Sequence, residues 1–171
     1  MIKKILVIIL IYIIMLFSNS CVLRSTLFDD SGQKADIRLK QIIEAINNDD
    51  KDSLKSMFSE QALNESSDID ERINYLFDFI NGEINNWETI THGSGTESID
   101  HGKRTKNSCS WYYIDTDSEK YFIAFLEYLI DTENPEKIGL YMIYVVKAED
   151  EGQFRGFGPD TRYAGIYTPE E

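Results

Sequence analysis

The sequence predicts an α+β fold in which N-terminal helices pack on a curved, antiparallel, four-stranded meander. Between residues 36 and 82 apolar residues recur at helical spacing, and after Asn86 the pattern changes to extended segments separated by short turns. Helices followed by a run of strands are typical of α+β proteins. A length of 171 residues, with 42% hydrophobic and 27% charged residues, suits a single globular domain.

The first 20 residues have the pattern of an export signal. Lys3 and Lys4 provide a positive start, residues 5–17 are an uncharged apolar run, and residues 18–20 form a short polar exit. A helix as long as that apolar run rises roughly 20 Å, less than the roughly 30 Å hydrocarbon core of a bilayer, so a stable membrane span is disfavoured. The sequence therefore predicts a signal peptide at residues 1–20.

Cys21 directly follows this signal. Its placement resembles the lipidation site of bacterial lipoproteins, in which the cysteine takes a diacylglycerol and becomes the mature N-terminus. The resemblance implies a protein held on the extracytoplasmic face of the cell membrane by acyl chains such as palmitate. Two alternatives stay open, an ordinary secretory signal cleaved near Ser20 and a signal-anchor that remains in the membrane. If Cys21 carries no lipid, a disulfide with Cys109 can form in an oxidising compartment.

A polar tether is predicted at residues 21–35, and the domain at residues 36–171. Asp36 can cap the first helix, whose apolar residues mostly follow helical spacing. Asp50 or Asp52 can cap a short second helix. The tether would then separate the domain from the membrane surface.

The third helix is predicted to follow a polar connection at residues 59–67. Asp68, with Glu71 three residues later, resembles a capping box at its start. Gly82 suits its C-terminal end, because glycine readily adopts the left-handed conformation that ends helices.

Four strands joined by short turns are predicted after the helices. The first, at residues 87–99, is rich in threonine and is expected to bend at Gly93-Ser94-Gly95. Residues 100–103 then predict a hairpin turn, and the pattern indicates three further strands at residues 106–115, 121–130 and 138–146.

The last two of these strands are apolar at both alternating positions. A sheet with one face in water alternates apolar and polar residues, whereas residues 121–130 and 138–146 do not. Since the helices can cover only one face of so small a sheet, the other face must be covered by the C-terminal segment, a second subunit or a partner protein. A homodimer through this apolar face is the favoured expectation, because two-fold dimers are the commonest assembly.

Charge and cysteine content exclude several classes of function. With 17 Lys+Arg against 30 Asp+Glu, the net charge is −13, which disfavours binding to nucleic acid. Two cysteines are too few for a disulfide scaffold or a thiolate zinc site. Anionic lipid headgroups would repel so acidic a domain, so the membrane is expected to be contacted through the lipid on Cys21. No cofactor or metal is expected.

Several stretches of the chain resemble a family of small, uncharacterised Gram-positive lipoproteins, and the order of elements resembles the nuclear-transport-factor-2-like α+β cone. The resemblance covers roughly residues 36–168 and is carried by residues 97–103, 131–135, 138–141, 145–151 and 163–167. The family's function is unassigned, so the resemblance implies a fold and a location. It also implies that the open end between helices and sheet can hold a small molecule, and some members of the superfold are isomerases or dehydratases.

The two histidines are predicted to be exposed loop residues, and a calcium-like stretch is predicted to be a turn. His92 precedes the glycine bend and His101 lies in a hairpin turn, with no second histidine or cysteine nearby to complete a ligand set. Residues 115–119 imitate the start of a calcium loop, but Lys120 and Leu126 replace the glycine and glutamate that such a loop requires. A turn is therefore predicted there.

One catalytic hypothesis stays open, with Glu127 as base and Tyr113 as acidic donor. Isomerase or dehydratase chemistry needs a carboxylate facing a donor such as tyrosine inside an apolar cavity. Glu127 lies within an apolar strand and shares its parity with Phe125. The alternative is that the strand tyrosines are core or interface residues and that Glu127 is exposed at an edge.

Two functions from different classes therefore remain. The favoured one is a membrane-anchored, extracytoplasmic lipoprotein whose domain binds a partner or a small ligand without catalysis. The other is a cone-fold enzyme, isomerase- or dehydratase-like, acting on a small organic substrate. The position of Glu127 discriminates between them, because an outward-facing Glu127 would leave the enzyme without a base.

Overall fold

The computed structural model describes residues 31–158 and 161–168, which form an α+β domain with its helices first and a mixed, open, mostly antiparallel sheet after them. The helices in this part of the chain are α1 (Ser31–Asn47), α2 (Lys51–Ser56), α3 (Glu60–Glu65) and α4 (Ile69–Phe79). The strands are β1 (Ile84–Ser94), β2 (Glu97–Asp100), β3 (Lys103–Thr116), β4 (Lys120–Asp131), β5 (Gly139–Lys147) and β6 (Gly165–Tyr167). The predicted signal peptide and Cys21 lie outside the described residues.

The sheet has the strand order β1-β3-β4-β5-β6, with β2 also paired to β3. β1 and β2 occupy the same edge and are separated by a break at residues 95–96, where the sequence predicts a bend. A side chain at Gly95 would overlap the backbone carbonyl of Asn107, so glycine is required at this bend. The hairpin turn at residues 100–103 is confirmed, with His101 and Gly102 both at positive φ.

The sheet is wider than the predicted four-stranded meander. After β5 the chain passes through a short 3-10 helix, Ala148–Gln153, and returns as β6, which lies parallel to β5. A second parallel contact, an isolated bridge from Phe58 to Leu140, joins the α2–α3 link to β5. The sequence pattern missed β6 because a strand of three residues has too few positions to show an alternation.

The first helix includes residues that were predicted to belong to the tether. Ser31, Ala35, Leu39 and Ile42 are all buried, so the apolar stripe of α1 begins before Asp36. Asp36 therefore lies inside the helix, and the prediction that it caps the helix is wrong. The cap predicted for α2 is confirmed at Asp50, whose Oδ1 accepts a 2.9 Å hydrogen bond from the Ser53 backbone N–H.

The predicted polar connection at residues 59–67 contains a helix, α3. Ser59 caps it by accepting a hydrogen bond from the Ala62 N–H at 3.1 Å. α3 buries Ala62 alone, so its sequence carries no apolar period that could have predicted it. At α4 the predicted capping box does not form, because Asp68 instead accepts a 3.0 Å bond from the Arg72 side chain one turn later.

The helices cover one face of the sheet, here called the inner face. The main core lies between the helices and the inner face of the sheet. It contains residues of α1 and α4 together with these strand residues of the inner face: Tyr112, Ile114, Tyr121, Ile123, Phe125, Ile143 and Val145. The parity predicted for β4 is confirmed, since Tyr121, Ile123 and Phe125 all lie on this face.

The outer face of the sheet is covered by the described part of the chain's own C-terminal segment, residues 148–158 and 161–168. The Phe154 ring lies 4.9 Å from Tyr144 and 5.2 Å from Phe122, centroid to centroid, and Tyr167 stacks on Tyr144 at 4.7 Å. Phe157 is buried in the same cluster. Of the three covers that the sequence allowed, the structure contains this one, so the exposed apolar face that motivated the homodimer or protein-partner prediction is occupied within one chain.

Phe154→Ala tests this cover. Removing a partly buried ring that contacts four other aromatic residues should lower the free energy of unfolding by about 2–3 kcal/mol, less than for a fully buried phenylalanine. The measurement is urea unfolding followed by far-UV circular dichroism. Ile99→Ala, at a side chain that is 70% exposed, is the matched control and should change stability by less than about 0.5 kcal/mol. Equal stability of Phe154→Ala and wild type would contradict a packed outer face.

Candidate functional site

Glu127 lies on the inner face of β4, beneath α1, and is 2% exposed. Its Oε2 accepts a 3.0 Å hydrogen bond from Nε of Arg38, which makes a charge-assisted ion pair between the sheet and the helix. Arg38 in turn donates from Nη1 to the Gln41 side chain at 2.9 Å. The expectation that Glu127 is exposed at an edge is therefore wrong, and its carboxylate faces the helix layer.

Local structure brings Arg38 to this position. Arg38 and Gln41 lie one turn apart on α1, beside the buried stripe that faces the sheet. The end of α1 is held against β1 by Asn47, whose side-chain amide donates to the Ile84 carbonyl and accepts from the Ile84 N–H, both at 2.9 Å. This clamp and the buried stripe fix how α1 lies on the sheet, and thus where the Arg38 guanidinium reaches.

Two polar atoms near the ion pair are buried without a hydrogen-bond partner in the described residues. They are Oε1 of Glu127 and Oγ of Ser108. Ser108 is paired with Glu127 in the β3–β4 register, so the two side chains are cross-strand neighbours on the inner face. Leaving such groups without partners costs about 1–3 kcal/mol each, and more for a charged group. The pair is therefore a position at which two further hydrogen bonds could be made.

A cleft opens at this place between α1 and β4. A cavity of about 240 Å³ is lined by Lys34, Ile37, Arg38, Gln41, Glu127 and Leu129. A second cavity, of about 640 Å³, shares Arg38 and Gln41 with the first and continues along α1 towards Asn48 and Ser53. We call the two together the α1 cleft. The Arg38–Glu127 pair lies in the smaller cavity, and the larger one is bordered mainly by polar side chains.

Burial controls the electrostatics of the site. Removal from water raises the pKa of Glu127 above its ordinary value, and the positive charges of Arg38 and Lys34 partly oppose that rise. Tyr112, also on the inner face, donates its hydroxyl to Asp36 at 3.1 Å. Burial first, and then this bond to Asp36, raise the pKa of Tyr112, so its hydroxyl stays protonated.

Tyr113, the predicted donor for Glu127, lies on the opposite face of the sheet. Its ring contacts Phe122 in the outer cluster, and its hydroxyl donates to the carboxylate of Glu151. This bond raises the pKa of Tyr113, as does its partial desolvation. Because neighbouring strand residues point to opposite faces, the Glu127–Tyr113 pair is excluded, and Tyr112 is the tyrosine on the same face as Glu127.

Sequence reasoning identified Glu127 but missed Arg38 and Ser108. Ser108 pairs with Glu127 in the continuous register that begins at Asp115 and Lys120 beside the β3–β4 turn, so counting residues back from that turn reaches it; the irregularity between Lys106 and Asn107 lies further along. Tyr113 could have been set aside, since it pairs with Phe122 in the register and the parity of Phe122 differs from that of Glu127. For Arg38 the sequence holds no signal, because an arginine on a helix is ordinarily solvated.

The other candidates occupy structural positions. His101 lies in the exposed β2–β3 turn and His92 in β1. Residues 115–119 connect β3 to β4, and Thr116 N–H closes the turn on the Glu119 carbonyl at 2.8 Å, as predicted. Cys109 is a free, partly buried cysteine packed against the outer cluster.

Neither range, 31–158 or 161–168, contains a group of three or more side chains placed to hold a metal ion. In the same residues no helix has the length and apolar character needed to cross a membrane.

Comparison with known protein families identifies a match over part of the chain. Residues 41–148 match a family model described as a domain of unknown function, DUF5104, which is more than half of the chain. Ser108 and Glu127 lie within the matched range, whereas Arg38 precedes it. No curated protein matches the sequence.

Glu127→Gln tests the burial of the carboxylate. Since the folded state raises the pKa of Glu127, the unfolded state binds fewer protons above about pH 4.5, and wild-type stability falls as the pH rises towards the folded pKa. Glutamine does not titrate. The stability of the variant relative to wild type should therefore rise with pH, by at most about 1.4 kcal/mol per pH unit, and then level off.

The measurement is urea unfolding of both proteins between pH 4 and pH 8. Glu88→Gln is the matched control, because Glu88 is exposed on β1. The stability of Glu88→Gln relative to wild type should not show this rise with pH. A pH-independent difference for Glu127→Gln would show that Glu127 titrates normally.

Proposed function

The chain belongs to the DUF5104 family of domains of unknown function, and from that premise we propose that it is a lipid-anchored, extracytoplasmic binding protein. The domain has a cone-like, nuclear-transport-factor-2-like architecture in this proposal. It binds a small ligand in the α1 cleft and catalyses no reaction.

One observation carries the binding role. Glu127 lines a cavity and is paired on one oxygen with Arg38, while its other oxygen is buried and has no hydrogen-bond partner among the described residues. A buried ion pair contributes little net stability compared with apolar packing. A half-satisfied carboxylate beside an open cavity is instead what a ligand site requires, because the missing hydrogen bond is made when the ligand arrives.

The cone-like architecture is supported by how the layers meet. α1 covers the inner face next to the bent edge formed by β1 and β2, and α4 lies further along the same layer towards β6. The α1 cleft lies where α1 and β4 separate, at Ile37 and Leu129. Such openings between helices and a curved sheet are common positions for small-molecule sites.

The anchored location is supported by the first 21 residues and by charge. Removal of the signal takes away Lys3 and Lys4 and makes the net charge of the mature chain −15. A domain of that charge is repelled by anionic lipid headgroups, so its own surface is unsuited to binding the membrane. A lipid on Cys21 supplies the attachment that the domain surface lacks.

A second candidate function is an enzyme that uses Glu127 as a general base. The raised pKa of Glu127 favours it, since proton transfer at neutral pH is most efficient when the pKa of the base is near 7. Tyr113 is not available as its donor, and the hydroxyl of Tyr112 is already committed to Asp36. The binding role therefore agrees better with the arrangement of the site.

Lipidation is tested at Cys21. In the wild type, the N-terminal peptide of membrane-extracted protein should begin at residue 21 and carry the mass of a diacylglycerol. In Cys21→Ser that mass should be absent, because serine offers no thiol for the thioether. The measurement is mass spectrometry of the N-terminal peptide from both proteins. An unmodified Cys21 in the wild type would contradict the lipid-anchored location. It would not bear on the binding role, which Ile37→Trp tests separately.

Ile37→Trp tests the α1 cleft as the binding site. The Ile37 side chain is 55% exposed at the wall of the smaller cavity, so a larger side chain should obstruct the cleft without disturbing the core. Compounds from a metabolite library that raise the melting temperature of the wild type should raise that of the variant by much less. A ligand at 100 times its Kd stabilises by about 2.7 kcal/mol, which corresponds to several degrees.

Ile99→Trp is the matched control for this screen, because Ile99 is exposed on β2 and borders neither cavity of the cleft. It should respond to the same compounds as the wild type. If no compound stabilises the wild type, or if Ile37→Trp responds as the wild type does, the α1 cleft is not a ligand site.

A further inference from the structure

The two ends of the α1 cleft carry opposite charges. At one end are Arg38, which borders both cavities, and Lys34, which borders the smaller one, so their positive charges together exceed the single negative charge of Glu127. At the other end the larger cavity is lined by the carboxylates of Glu44 and Asp50. A purely cationic or purely anionic ligand would therefore be repelled at one end of the cleft. A ligand with a carboxylate at one end and an ammonium at the other is attracted at both.

α1 sets the distance between the two ends. Arg38 and Glu44 are six residues apart in this helix, which corresponds to a rise of about 9 Å. Asp50 lies beside the Glu44 end, because its N–H donates to the Ala45 carbonyl at 2.8 Å. In a free α-amino acid the ammonium nitrogen and the carboxylate carbon are bonded to the same atom and are only about 2.5 Å apart. The cleft thus fits a longer molecule, whose charged groups are about 9 Å apart.

The Arg38 guanidinium is held in place and still has donors to offer. Its Nε donates to Glu127 at 3.0 Å and its Nη1 to Gln41 at 2.9 Å. Nη2 makes no hydrogen bond with the described residues, and it is not one of the polar atoms that are buried without a partner. Since the Arg38 side chain is 23% exposed and borders both cavities, Nη2 is accessible from the cleft. A guanidinium that is already fixed loses little entropy when it binds a carboxylate.

The remaining wall of the larger cavity suits a peptide chain. The side-chain amides of Gln41 and Asn48 line it from α1. Within the described residues Gln41 uses only its oxygen, as the acceptor for Arg38, and the Asn48 side chain makes no hydrogen bond. An amide both donates and accepts, and so complements the N–H and C=O groups of a peptide backbone. Met57 and Ile138 line the same cavity and supply apolar surface for side chains.

The size of the cleft limits the length of the peptide. The larger cavity has about 640 Å³, within the roughly 300–1,000 Å³ of small-molecule sites. An extended chain of three residues spans about 10 Å, which matches the separation of the two charged ends. The smaller cavity, of about 240 Å³, adjoins Arg38 and is bordered by Ile37 and Leu129, so it suits an apolar side chain on the C-terminal residue.

We propose that the α1 cleft binds a short free peptide of about three residues, with its C-terminal carboxylate on Arg38 and its N-terminal ammonium at Glu44 and Asp50. Glu127 is a positioning residue in this arrangement, because it holds Arg38 and does not itself contact the ligand. The inference rests on the proposed function, since it takes the α1 cleft to be the ligand site. It adds the class of ligand and the residues that recognise its two ends.

The test is isothermal titration calorimetry on the full-length protein in detergent, with trialanine as the probe. Trialaninamide lacks the carboxylate and should bind at least tenfold more weakly, because it loses the charge-assisted bonds to Arg38. N-acetyltrialanine lacks the ammonium and should bind about two- to fivefold more weakly, because the carboxylates that it fails to pair with are exposed. Free alanine, whose charges are too close together, should bind at least tenfold more weakly than trialanine.

The unbranched ω-amino acid aminooctanoate separates a peptide from other zwitterions. It carries an ammonium and a carboxylate at a separation similar to that in trialanine, but it has no amide groups. It should bind at least threefold more weakly than trialanine, since it makes no hydrogen bonds with Gln41 and Asn48.

Two variants assign the ends of the peptide. The double variant Arg38→Gln with Glu127→Gln removes both members of the buried pair, so that no buried charge is left uncompensated. It should weaken trialanine binding at least tenfold and leave trialaninamide binding unchanged. Glu44→Gln, at an exposed residue, should weaken trialanine binding about two- to fivefold and leave N-acetyltrialanine binding unchanged. Glu88→Gln, on exposed β1, is the matched control for Glu44→Gln and should bind every probe as the wild type does.

The proposal is overturned if trialanine does not bind, or if trialaninamide and N-acetyltrialanine bind as tightly as trialanine. Aminooctanoate that binds as tightly as trialanine would overturn the peptide as the ligand class. An unchanged trialanine affinity in Glu44→Gln would overturn the assignment of the ammonium end, and this variant decides the matter even if the double variant does not fold. Failure of the cleft itself is separately visible as an Ile37→Trp variant that still responds to every stabilising compound.

Discussion

The domain is organised by the need to keep both faces of β4 and β5 from water. Residues of both parities in these strands are buried, so the sheet needs a cover on each side. On the inner face the cover is the helix layer, and on the outer face it is the C-terminal segment, whose Phe154 and Phe157 pack on the strand aromatics. The helices that precede the sheet and the segment that follows it together meet this requirement.

The candidate site is a consequence of the inner cover. Glu127 interrupts an otherwise apolar strand, and covering that strand with α1 removes the carboxylate from water. Arg38 supplies the counter-charge from the covering helix, but the pair satisfies only one of the carboxylate oxygens. A cleft between α1 and β4 is lined by both Arg38 and Glu127, so the pair lies beside a cavity. The same packing that stabilises the sheet thus creates a polar position available to a ligand.

Features that depend on neighbouring residues were predictable from the sequence. The Asp50 cap, the glycine bend near residue 95, the hairpin turn at residues 100–103 and the long strands all follow from local backbone chemistry or from alternation. Predictions failed where a side chain had a choice of partners. Asp68 accepts from the Arg72 side chain instead of capping α4, and Asp36 lies within α1 and accepts from Tyr112. Which hydrogen-bond partner such a side chain takes depends on distances in the folded structure, and the sequence does not give those distances.

The sequence by itself determined the α+β class, the strand parities and the presence of an apolar outer face in need of a cover. It also predicts an export signal followed by Cys21. Only the tertiary structure decided which cover is used, that Arg38 is the partner of Glu127, and that this pair lies at a cleft. The physical reason is the separation of the interacting residues along the sequence. Periodicity and capping depend on residues a few positions apart, whereas Arg38, Ser108 and Glu127 are brought together by helix packing and strand register.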